Sequence, residues 1–78
     1  MRWEAKLSEP IILKDGRELV TLLDAGKLIL NLPAMSQARA GWQHVGKLLL
    51  AAVESGDTEA IGKATTEVWS ALKAERLI

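Results

Sequence analysis

The chain has 78 residues, 49% of them hydrophobic, and its ten Lys and Arg balance ten Asp and Glu. The lack of Cys excludes disulfides and thiolate metal sites, and a single His disfavours a structural metal site. The even charge balance disfavours binding to nucleic acid. No apolar run approaches the roughly 20 residues of a membrane span. We therefore expect a cytoplasmic protein without membrane contact, metal or cofactor.

The length supports one small domain over residues 1–78. A domain of this size buries a limited core and is marginally stable without help. Because disulfides and metals are disfavoured, self-association is the expected way to complete the core.

The first predicted element is a β-hairpin. Asp15-Gly16 lies between two apolar runs, a pattern that favours a type I′ turn. We predict strands over 10–14 and 17–20. An isolated ribbon is barely stable in water, so a third strand around Trp3, or an edge from another chain, is expected to complete it.

A helix is predicted directly after the hairpin. Thr21 is its expected N-cap, with Asp24 three residues on as in a capping box. The helix is predicted over 22–32 and ends before Pro33. Leu28 is expected to border its polar face. The predicted buried face comprises Leu22, Ala25, Ile29 and Leu32.

The second half of the chain predicts a helical hairpin. Residues 33–40 are expected to form a loop before a central helix that includes 42–53, has its start left open around Gly41, and ends at Glu54 or Ser55. Gly56 suits the left-handed position after that helix, and Asp57 suits the N-cap of a last helix over 58–75. So short a connection favours antiparallel neighbours. The central helix is expected to bury Trp42, Val45, Leu49, Ala52 and Val53.

His44 is the one histidine and the obvious candidate for acid–base chemistry. No His or Glu lies four residues before or after it, where Ala40 and Leu48 stand, so a structural or surface role is favoured. Gly41 and Gly46-Lys47 have the spacing of a phosphate-binding loop, but Leu48 replaces the Ser or Thr that holds magnesium. We therefore expect no catalytic residues and no enzymatic activity.

Three tryptophans are the only aromatic residues. They are expected in one packed core or rim, or else one or two of them line a groove, because Trp is enriched at binding hot spots. The candidate residues for a ligand or partner groove are Arg39, Trp42, His44 and Trp69.

Surplus apolar residues indicate a dimer. Leu50 lies on the predicted polar face of the central helix, and the chain ends in Leu77-Ile78. Together they exceed what one small core requires. The candidate dimer contacts are Leu28, Leu50, Leu77 and Ile78.

The order of these signals resembles that of a known family. The matching residues are Trp3, Pro10-Ile11, Arg17, Thr21 to Ala25, Leu32-Pro33 and Gly56. This layout is similar to a small bacterial family catalogued as domain of unknown function 982. The family has no established activity, so the resemblance implies only a small α+β domain of unknown role.

These observations predict an α+β fold: an N-terminal antiparallel β-ribbon of two or three strands packed on three helices, the last two a helical hairpin. The favoured function is a non-catalytic protein-interaction domain that acts as a homodimer and presents a helical or strand-edge surface to itself or to an unidentified protein. One alternative is a small-molecule binding or sensing module with a groove near Trp42, His44 and Arg39. A second is a transcription-related regulator, which the charge distribution disfavours.

Overall fold

The computed structural model describes residues 2–78. An antiparallel pair of strands precedes all the helices, which confirms the predicted α+β class with an N-terminal β-ribbon. No helix within residues 2–78 has the length and apolarity that crossing a bilayer requires. The elements are β1 (Lys6–Ile12), β2 (Glu18–Thr21), α1 (Leu22–Leu30), α2 (Ala34–Gln37), α3 (Ala40–Ser55) and α4 (Thr58–Ala74).

The hairpin turn differs from the predicted type I′. The amide of Gly16 donates to the carbonyl of Leu13, and the amide of Leu13 donates to the carbonyl of Arg17 (2.8 Å), which closes a three-residue loop. Gly16 has a φ of 93°, whereas Asp15 has a negative φ. A three-residue loop needs only one residue in the left-handed region, usually Gly. The Asp15 carboxylate accepts a hydrogen bond from the Arg17 amide at 3.0 Å.

The Trp3 segment forms a turn and not a third strand. The carbonyls of Trp3 and Ala5 accept hydrogen bonds from the amides of Leu23 and Leu22, at 2.8 and 2.9 Å. These are among the first amides of α1, which have no partner inside the helix. The half-buried Trp3 ring covers Gly26, where an added Cβ would lie 3.0 Å from Trp3 Cζ3. The segment therefore anchors α1 in place of extending the sheet.

The capping box of α1 is present as predicted. The Thr21 hydroxyl accepts from the Asp24 amide, and the Asp24 carboxylate accepts from the amides of Thr21 (3.1 Å) and Val20 (2.9 Å). The same N–H groups, that of Val20 first, lower the pKa of the Asp24 carboxyl. The helix ends at Leu30, two residues before the predicted end.

The placement predicted for Leu28 is wrong. Leu28 is buried in the core and does not border the polar face of α1. The reason is that α1 packs against β2 as well as against α3, so that a wider arc of the helix is covered. A single apolar stripe in the sequence does not reveal this second neighbour.

The predicted loop over 33–40 contains the short helix α2, so the described part of the chain has four helices and not three. The Gln37 side chain explains the position of α2. Its Nε2 donates to carbonyl oxygens at the end of α1, where backbone acceptors have no helical partner. The acceptors are Ile29 (3.0 Å), Leu30 (3.2 Å) and Leu32 (3.0 Å).

The predicted helical hairpin is formed by α3 and α4. Gly56 ends α3 with a φ of 65°, and the Asp57 side chain accepts from the Glu59 amide at 3.4 Å. All five residues predicted for the apolar face of α3 are buried. α3 also packs against α1.

Candidate functional site

An apolar groove between α1 and α3 is the candidate functional site. Its volume is about 400 Å³, within the range of ligand pockets. One charged residue, Lys27, lines it. The other lining residues are Trp3, Leu23, Gly26, Ile29, Leu30, Gly46, Leu49 and Leu50.

Two glycines in helix interiors open this groove. Gly26 belongs to α1 and Gly46 to α3. The Trp3 ring lies on Gly26, but a Cβ added at Gly46 would meet nothing within 4 Å. The groove therefore has free space above the backbone of α3.

Three exposed leucines border the groove. Leu23 on α1 is 41% exposed, Leu30 is 78% exposed, and Leu50 on α3 is 48% exposed. Single exposed leucines are ordinary, but apolar residues gathered in one concave surface mark interaction sites. Self-association was predicted partly from Leu50, and the structure places that residue in the groove.

The groove expected around Arg39 and Trp42 is instead a packed corner. Trp42 is only 2% exposed. Its Nε1 donates to Glu75 Oε1 at 3.3 Å, and Arg39 Nη1 contacts the same oxygen at 2.8 Å. The two residues therefore fasten the start of α3 to the residue that follows α4.

His44 and Trp69 lie apart from that corner. His44 is exposed and lines an open cleft with Ser8 and residues of α4. Trp69 is 45% exposed and borders a neighbouring depression, with Lys73 Nζ 5.1 Å from its ring centroid. The four residues predicted for one groove thus occupy a packed corner and two other surface positions.

The remaining predicted dimer contacts have different environments. Leu28 is buried and offers no surface to a second chain. Leu77 and Ile78 are half-buried and pack against the core. The Leu77 amide donates to the carbonyl of Leu72, and the Leu77 carbonyl accepts from the amide of Lys14 at 2.8 Å. The apolar end of the chain is therefore held by the domain itself.

The groove contains no constellation of ionisable groups. The carboxyls whose pKa is lowered, those of Asp15 and Asp24, belong to the hairpin turn and to the cap of α1. Neither lines the groove. Across residues 2–78, no cluster of three or more His, Asp or Glu side chains is arranged to hold a metal ion. The groove can therefore bind a partner through shape complementarity and apolar contacts.

Sequence reasoning missed most of the groove. Leu23 and Leu30 are seven residues apart, with Lys27 between them, so they share one face of α1. That spacing was a usable signal for an exposed apolar stripe. The approach of α1 to α3, which turns the stripe into a groove, has no signal in a single sequence.

Comparison with known protein-family models, curated proteins and solved structures finds no match to this chain. The resemblance to the family of domain of unknown function 982 therefore stays a prediction.

Proposed function

We propose that this protein is a non-catalytic interaction domain that forms a homodimer through the groove between α1 and α3. The observation that carries the proposal is the gathering of Leu23, Leu30 and Leu50 along one apolar groove. A chain of 78 residues has a small core, and covering these leucines with a second copy adds apolar burial that the isolated chain lacks. A cytoplasmic location, expected from composition, belongs to the same proposal.

A helical surface is favoured over a strand edge. The Ser8 amide on β1 already donates to Thr65 Oγ1 at 3.1 Å. Pro10 on the same strand has no amide hydrogen. On β2, the Val20 amide donates to Asp24. With these donors occupied or missing, a further strand would find few partners along either edge.

The deciding experiment measures solution mass by light scattering over a dilution series. The wild type is expected to be a dimer that dissociates on dilution, and Leu50→Glu is expected to be a monomer. A carboxylate at this position would have to lose water on association without gaining a partner. Circular dichroism of both proteins checks that the half-exposed site tolerates the substitution.

The matched control is Ile12→Glu. Ile12 is 65% exposed on β1 and lies outside the groove. The same change of side chain there is expected to leave the mass unaltered. A wild type that is monomeric at every concentration would refute the homodimer, and the groove would then be assigned to a small apolar molecule or another protein.

A further inference from the structure

One exposed stripe of α3 carries opposite charges on the two sides of a leucine. Lys47 and Glu54 are seven residues apart, Leu50 and Ala51 lie between them, and all four are exposed. At 100° per residue the four fall on one side of the helix. Within residues 2–78, neither Lys47 nor Glu54 takes part in an ion pair. The stripe borders the groove through Leu50.

This arrangement is complementary to itself when reversed. If two α3 helices lie antiparallel with a two-fold axis between Leu50 and Ala51, the residue at i of one copy faces the residue at 101 − i of the other. Lys47 then faces Glu54 of the second copy, and the symmetry repeats the pair. Leu50 of each copy lies level with Ala51 of the other. A two-fold interface requires such a self-complementary patch.

We infer that the homodimer is built on an antiparallel α3–α3 contact, in which Lys47 of each copy pairs with Glu54 of the other and Leu50 lies at the centre. The inference rests on the proposed self-association and places its centre at Leu50, on the α3 border of the groove. The two ion pairs lie about 10 Å apart along the helices, at a rise of 1.5 Å per residue. Leu50 supplies apolar burial, and the charges fix the direction and register of the helices.

Charge reversal tests this geometry. Lys47→Glu alone, or Glu54→Lys alone, replaces two attractive pairs with two repulsive ones. Each variant is expected to weaken the dimer roughly tenfold, as judged from the modest energies of exposed pairs. The double variant Lys47→Glu/Glu54→Lys restores both pairs and is expected to dimerise like the wild type. Mixing the two single variants is expected to give a heterodimer. Lys14→Glu, an exposed position on the hairpin loop, is the control for the change in net charge.

The experiment is analytical ultracentrifugation at low and high salt, with thermal melts to check folding. Rescue by the double variant, together with a smaller difference at high salt, supports the geometry. If Leu50→Glu splits the dimer but both single variants dimerise like the wild type, the α3–α3 pairing is wrong and self-association stands. A monomeric wild type would overturn both.

Discussion

Asp24 provides the most direct test of how the sequence fixes the start of α1. The Asp24 carboxylate accepts hydrogen bonds from the amides of Val20 and Thr21. In return, the backbone amide of Asp24 donates to the Thr21 hydroxyl. Asp24→Ala removes the acceptor from two partly buried N–H groups. We expect this to lower the free energy of unfolding by about 2 kcal/mol, the upper end of the range for lost caps. For a domain of this size, that corresponds to a fall in Tm of about 8–16 °C.

Asp24→Asn removes the negative charge but keeps the size of the side chain and an oxygen that can still accept a hydrogen bond. We expect a loss of about 1 kcal/mol near pH 7, since hydrogen bonds to a charged acceptor are roughly twice as strong. The pKa of the Asp24 carboxyl is lowered in the folded protein, chiefly by the Val20 amide. Its stabilisation is therefore complete above about pH 4, the ordinary range of an Asp side chain, and declines as pH falls through the folded-state value.

Urea denaturation from pH 7 down to pH 2, at one protein concentration, measures both effects. The difference between wild type and Asp24→Asn is expected to shrink below about pH 4. Asp15→Ala is the control. The pKa of the Asp15 carboxyl is also lowered, chiefly by the Arg17 amide, but this carboxyl lies on an exposed turn. The substitution is therefore expected to lower the free energy of unfolding by less than Asp24→Ala does. A loss below about 0.5 kcal/mol for Asp24→Ala, the range of ordinary surface substitutions, would refute the account.

Two further predictions concern other contacts of the helices. Gly46→Ala is expected to raise the free energy of unfolding of the monomer by up to about 1 kcal/mol in urea denaturation of dilute protein, since its Cβ meets nothing of its own chain within 4 Å. Gly26→Ala should not share this gain, because its Cβ would lie 3.0 Å from the Trp3 ring; an equal gain would contradict that contact. Glu75→Leu should destabilise the domain more than Glu75→Gln, because only the side-chain amide of the Gln variant can still accept a hydrogen bond from buried Trp42 Nε1. Equal melting temperatures of these two variants would show that the hydrogen bond contributes little.

The sequence predicts the parts of the fold that depend on neighbours along the chain. The capping box at Thr21, the left-handed Gly56 and the cap at Asp57 were all predicted, because each needs only the residues within one helical turn. The short helix α2 was missed because Gln37 stabilises it by reaching back to the end of α1. The burial of Leu28 was missed for a related reason, since it follows from a second neighbour of α1.

The candidate site depends on long-range packing in the same way. Leu50 was correctly predicted as exposed on α3, but its neighbours in the groove come from α1 and from the segment of Trp3. Trp42 was predicted for the buried face of α3, with a groove position as the alternative because tryptophan is enriched at binding hot spots. Its buried position beside Glu75 instead satisfies its indole N–H within the domain.

Two glycines line the groove from inside helices, and contacts within the chain explain only one of them. A glycine inside a helix costs up to about 1 kcal/mol relative to Ala. The Trp3 ring accounts for Gly26, since it leaves little room for a Cβ. Nothing in the described chain approaches Gly46 in this way, although Gly46 lies in the middle of α3 and lines the groove. In the proposed homodimer, a side chain of the second copy seated against the open backbone of α3 would supply the close approach that the single chain lacks.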